Sequence, residues 1–130
     1  MMKAFREAFF KAYAQGGSAL HTSLGDSLYA FEAPRGKKVP FVVVSVPHES
    51  EDRSFTSVSP EIALQLDVYA ADMDTADILS RELRDFTEQT AFFVPDYTLI
   101  SVEFQQTTRL AGAHAQRIMV EYLVTLHRAA

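Results

Sequence analysis

Residues 3 to 14 place Phe5, Phe9 and Ala12 on one stripe at helical spacing. Phe10 and Tyr13 widen that stripe, while Lys3, Arg6, Glu7 and Lys11 fall on the other side, the pattern of an amphipathic helix. Gly16-Gly17 ends it, because the chain needs positive φ there. Residues 18 to 26 read as a loop or a partial second turn. In SLYAFEA, residues 27 to 33, Tyr29 and Phe31 alternate with small or polar neighbours and predict a strand. Pro34, Gly36 and Pro40 make the following PRGKKVP a turn. Phe41 to Val46, β-branched and almost wholly apolar, suits an inner strand covered on both faces over part of its length, ending at Pro47. Residues 48 to 60 are the most polar stretch, either a loose loop or the exposed tip of a β-ribbon, and are expected to be mobile in a free subunit.

Glu61 to Ala70 alternates: Ile62, Leu64, Leu66 and Val68 point one way, and Ala63, Gln65, Asp67 and Tyr69 the other. Residues 71 to 93 form a second helix, with Asp74 at the N-cap position and Asp77 three residues on. Its inward stripe is Ala76, Leu79, Leu83, Phe86 and Thr90, with Ile78 beside it, and Pro95 closes the segment. Two strands follow, 97 to 106 and about 116 to 127, joined by a hairpin tip at 107 to 115 that carries Gly112. In the first, Ile100, Val102 and Phe104 share a face; in the second, Ile118, Val120, Tyr122, Val124 and Leu126 do. The order α-β-β-β-α-β-β predicts an α+β two-layer sandwich, a mainly antiparallel sheet of four or five strands with two helices on one face.

Length and composition narrow this further. A chain of 130 residues is expected to make one domain, 1–130, since two would each be short of core. With 48% hydrophobic and 22% charged residues it belongs among folded chains, and ten Phe and five Tyr supply bulky core material. Cysteine is absent, which excludes disulfides, thiolate metal sites and thiol nucleophiles together. No apolar run approaches the ~20 residues that cross a bilayer, and charges interrupt the N-terminal apolar stretch, unlike a signal peptide. A net charge of −5 argues against a general nucleic-acid binder. That charge is concentrated: between residues 67 and 88 seven acids face Arg81 and Arg84, a balance of −5. The stretch is either a solvated helix face or an acidic surface used in an assembly.

Candidate chemistry is sparse. His21, His48, His114 and His127 lack metal-ligand spacing, and no HExxH, phosphate-cradling glycine loop or nucleophile elbow occurs. The run Asp72 to Asp77 has the acids of a calcium loop without its glycine and terminal glutamate, and helix capping accounts for it. No cofactor or metal is expected. The informative feature is the face of the last strand turned away from the helices, where Met119 and Leu123 stand among Gln65, Tyr69, Glu103 and Glu121. Left in water, two such apolar side chains would forfeit about 1.5–3 kcal/mol each. These six residues form a candidate self-association face, mixed as subunit contacts are, against the alternative of ordinary scattered surface apolars. Candidate partner contacts lie in the loops: Arg35, Lys37 and Lys38 in the basic turn, Glu51, Arg53 and Phe55 in the polar insert, and Arg109 near the last tip.

The chain as a whole resembles the tail-completion family, the tail-terminator or head–tail joining proteins of long-tailed bacteriophages and prophages. The resemblance lies in the amphipathic first helix, P-R-G-K-K-V-P-F-V-V-V at 34 to 44, and I-A-L-Q-L-D-V-Y-A at 62 to 70. It extends through the helix A-D-I-L-S-R-E-L-R-D-F to the final V-E-Y-L-V-T-L-H. It implies a structural virion protein without catalysis, made in the host cytoplasm. Such a protein forms a ring, commonly hexameric, on the head-proximal end of the tail tube. Its implied partners are further copies of itself, the tail-tube protein and the head connector or neck protein, with no sequence-specific nucleic acid and no membrane. Rival readings are a small α+β ligand-binding or enzymatic domain, which needs convergent polar groups in an apolar cavity, and another neck or tail-assembly component.

Overall fold

A computed structural model describes residues 2–129. Three helices and five strands follow in the order α1 (Met2–Ala14), α2 (Ala19–Leu24), β1 (Leu28–Ala30), β2 (Phe41–Arg53), β3 (Ser57–Ala70), α3 (Met73–Gln89), β4 (Thr98–Ala111) and β5 (Gln116–Ala129). The strands make one sheet ordered β1-β2-β3-β5-β4, antiparallel throughout except that β1 runs parallel to β2. This is the expected α+β layering, with one helix more than expected. The residues of α2 sit where a loop or partial turn was expected. Ser18 caps it by accepting from the His21 amide at 3.0 Å, and Leu20 and Leu24 are buried.

The core follows the alternation. Val42, Val44 and Val46 of β2, Ile62 to Val68 at every second position of β3, and Ile118 to Leu126 of β5 all project to the helix side and are buried. From the helices, Phe9 and Tyr13 meet Phe86 of α3, and Phe92 from the segment after α3 stacks on Phe9 at 5.3 Å and meets Phe5 edge-on at 5.6 Å. Edge-to-face and offset contacts of this kind add roughly 0.5–1.5 kcal/mol beyond buried area. Gly16 and Gly17, both at positive φ, end α1 as expected.

Several boundaries differ from expectation, each for a local reason. Pro47 does not end β2. The ladder slips register between Ser45 and His48, so proline's missing N–H falls in a bulge, and the strand runs on to Arg53. Residues 48 to 60 are therefore a paired ribbon rather than a loose loop, with only Ser54–Thr56 at its turn. There the Ser54 hydroxyl accepts from the Thr56 and Ser57 amides. β1 is cut to three residues because Phe31 adopts φ +68 and turns the chain out of the sheet. In β4, Ile100 and Gln105 are extra residues at two bulges, so Ile100 is exposed instead of sharing the face of Val102 and Phe104. The N-cap of α3 is Asp72, not Asp74: its carboxylate accepts from the Thr75 amide at 2.8 Å. Ile78 is exposed, Thr90 is the C-cap, and Ser80 and Thr87 join the buried stripe by bonding the Asp77 and Leu83 carbonyl oxygens. The last hairpin is longer and tighter than expected: strands reach 111 and 116, and a Cβ on Gly112 would stand 2.5 Å from the Ala115 oxygen.

Candidate interaction surfaces

Alternation along β3 and β5 that sends one set of side chains into the core must send the other set to the opposite face. Register brings that second set together: Gln65 pairs with Glu121, Ala63 with Leu123, Asp67 with Met119, and Tyr69 with Arg117. Glu103 of β4 pairs with Leu123. All six residues of the candidate self-association face thus share one surface that no helix covers. Met119 and Leu123 are half-buried by their own neighbours, so less of their area is at stake than full exposure implies.

The face has a structure that alternation alone does not disclose. Asp67 is only 4% exposed, and it accepts from Arg117 at 2.8 Å and from the Gln65 amide at 2.9 Å. Burial opposes the charge of the Arg117 guanidinium, but the bond to Asp67 and its nearby charge hold it above its ordinary basicity. Beside this pair the Phe41 and Tyr69 rings stack at 4.8 Å, with Tyr29 edge-on to Phe41 at 6.3 Å. Tyr29, Phe41 and Arg117 were missed as surface residues. The signal was present, since the register pairs Phe41 with Tyr69 and Tyr69 with Arg117, but it depends on strand order. Toward the other end of the face, Gln106 donates to Glu121. A shallow depression of about 460 Å³ lies there among Pro47, Ala63, Gln65, Gln105 and Leu123.

The candidate partner-contact residues are not gathered. Arg35, Lys37 and Lys38 occupy an exposed turn at the start of β2, whereas Glu51, Arg53 and Phe55 lie at its far end, roughly 40 Å away at strand rise. Lys37 hangs over the Tyr29 ring, and Arg53 donates to Glu51 at 2.9 Å. Arg109 is not a loop residue. It stands within β4, facing α3, and donates to Asp77 at 2.8 Å.

The acidic stretch does not form one surface either. Asp67 lies on the open face with Arg117, Asp77 is held by Arg109, and Glu82 accepts from Ser23 at 2.7 Å. Glu88 receives Arg84 at 3.0 Å and the Tyr122 hydroxyl at 2.7 Å. Partial burial disfavours the Glu88 carboxylate, yet these two donors and the Arg84 charge hold its pKa below the usual range. Burial and the same carboxylate push the Tyr122 phenol upward. Asp74 and Asp85 remain exposed on the outward stripe of α3.

Groups that carry chemistry stay apart. Among the described residues no three His, Asp or Glu converge on a metal-sized space, and every buried side-chain nitrogen and oxygen has a partner. His21 packs on Tyr13, and His127 pairs with Ser59 at 3.3 Å, while His48 and His114 are exposed. Large apolar side chains outside the core mark what is left for contact: Phe31, Phe55, Ile78, Phe93 and Ile100 are each more than half exposed. Of these, only Phe55 was a candidate from sequence. The Arg6 guanidinium covers Phe31 at 4.4 Å.

No protein-family model matches the chain, and no curated protein matches it by sequence. Among solved structures, the chain is similar to one in the virion of the native gene transfer agent particle. The TM-score is 0.78 at 13% identity, over 92% of this chain and 91% of that one. At that identity the likeness shows a shared fold.

Proposed function

We propose that this chain is a structural component of a phage-like virion, specifically a tail terminator. Copies close into a ring, six in the reading favoured here, that caps the head-proximal end of the tail tube and presents a surface to the head connector. The observation that carries the reading is the full-length likeness to a chain of a gene transfer agent virion, covering nine-tenths of both partners. It agrees in class with the tail-completion resemblance, which rests on the residue pattern alone. The reading assigns the chain, one domain over 1–130, no catalysis and no cofactor.

The uncovered sheet face is the surface that the reading uses. Met119 and Leu123 supply apolar area, with Gln65, Tyr69, Glu103 and Glu121 as a polar surround, the composition of a subunit contact. Electron microscopy of the purified chain is expected to show rings, and adding it to polymerising tail-tube protein is expected to shorten the tubes. Tubes of unchanged length would sink the terminator role while leaving a neck component open, a choice that gene order also addresses. Leu123→Asp is expected to weaken self-association at least tenfold with an unchanged circular dichroism spectrum. Sedimentation of variant and parent as the same assembly would remove the open face from the contact.

A further inference from the structure

Resting on the ring reading, we propose that the ribbon tip of one copy seats Phe55 in the groove between α3 and β4 of the next copy. Beyond His48 the β2 side of the ribbon is exposed at every position, and Phe55 at its apex is fully exposed. A paired ribbon is a costly way to hold an aromatic ring in water, and a sensible way to deliver one to a partner. The ribbon is also acidic: Glu49, Glu51 and Asp52 stand against Arg53.

The groove has the opposite sign and a fitting floor. It encloses about 510 Å³ between Asp77, Arg81 and Arg84 on α3 and Phe104, Thr107 and Arg109 on β4. Of its three guanidiniums, Arg84 is paired with Glu88 and Arg109 with Asp77, which leaves the charge of Arg81 in excess. Arg84 lies 3.8 Å over the Phe104 ring, and Arg109 is fixed by Asp77, so the walls are set before anything enters. An aromatic ring entering beside Phe104 would bury about 150–250 Å², while the ribbon carboxylates would meet Arg81 and its neighbours.

The occupant is a second copy because the chain's own tip cannot reach. The groove is level with Ile118 to Tyr122 of β5, which pair with Leu64 to Val68 of β3. Phe55 precedes Leu64 by nine residues along the ribbon, roughly 30 Å away. A tip on one copy and a groove on the next make a head-to-tail contact, the kind that closes rings. The ribbon continues β2 and β3, two of the strands of the sheet that carries the open face, and the proposal places the tip and that face on the same side of each contact.

Mixing separates this proposal from its alternatives. Phe55→Ser keeps the groove, and Arg81→Glu with Thr107→Glu keeps the tip. Each variant alone is expected to self-associate at least tenfold more weakly than the parent, with parental thermal unfolding. Mixed one to one, they are expected to form dimers that stop there, because each supplies the half the other lacks. Leu123→Asp mixed with Phe55→Ser is expected to give no such rescue. If Phe55→Ser assembles like the parent while Leu123→Asp does not, tip docking is wrong and the ring reading survives. A parent chain that stays monomeric at high concentration overturns both.

Discussion

Two phenols show how single residues tie this chain's stability to pH. Tyr13 donates to the Gly25 oxygen at 2.7 Å, and burial, with help from Asp26, pushes its pKa from 10.0 to about 12. The neutral form is therefore favoured in the folded chain. Its contribution is complete below pH 10 and is lost as pH rises through the folded value of about 12. Tyr13→Phe is expected to lose the bond to Gly25 but to show a flatter decline in thermal midpoint between these values than the parent. Parallel declines would show that Tyr13 is not responsible. Part of the slope will persist, because Tyr122 is shifted the same way by burial and by Glu88. Glu88 works at the other end of the scale. Its lowered pKa gives stability that is present above the ordinary carboxylate range and fades as acid protonates it.

At the level of elements, the start of α3 is the best-defined join. Asp72, in extended conformation, bonds the Thr75 amide and hydroxyl, and the Thr75 amide bond is the largest cause of its lowered pKa. Asp72→Ala is expected to lower the thermal midpoint by a few degrees at neutral pH and by less in strong acid, where the parent's cap is protonated too. Asp72→Asn, which still accepts from an amide, is expected to recover most of the loss, and calorimetry across pH checks both. The misplacement of this cap by two residues shows what a sequence conveys. Asp72, Asp74 and Asp77 all suit a helix N-terminus, and only the dihedrals choose among them. Long periodic segments were legible: β3, β5 and the α3 stripe follow from alternation and helical spacing over ten or more residues. The helix with too few residues to show a period was not. α2 has six and forms because Leu20 and Leu24 find places in a core assembled from distant segments, whereas β1 was expected as a strand over 27 to 33 and keeps three of those residues. Bulges hid for a similar reason. Pro47 and Ile100 sit where a ladder slips, and slippage depends on the partner strand. The open face was legible as a set of residues, but its Asp67–Arg117 pair and its Phe41–Tyr69 stack required the order of strands.

For the molecule as a whole, one strand spans two environments. β2 begins with Val42, Val43 and Val44 buried and ends with seven exposed residues. Amide exchange in the isolated chain is expected to be slowest at Val42–Val44 and in the facing parts of β3 and β5. It is expected to quicken past His48 and to be fastest at the exposed turn Ser54–Thr56. Uniform protection along all of β2 would contradict this gradient. In the proposed assembly the same division would separate roles, the helix-covered part holding the fold and the projecting part meeting a neighbour.

The irregular outer strands govern what cannot happen among crowded copies. On one rim β1 covers only Val42–Val44 of β2, and beyond it the edge of β2 is broken at Pro47, where the ladder slips; the other rim is kinked where Ile100 and Gln105 interrupt the ladder. Neither rim offers a long straight row of open main-chain donors and acceptors for a stranger's strand to zip onto. In the proposed assembly, side chains rather than strand edges would join the copies, and side chains can insist on a particular neighbour and a finite number of them.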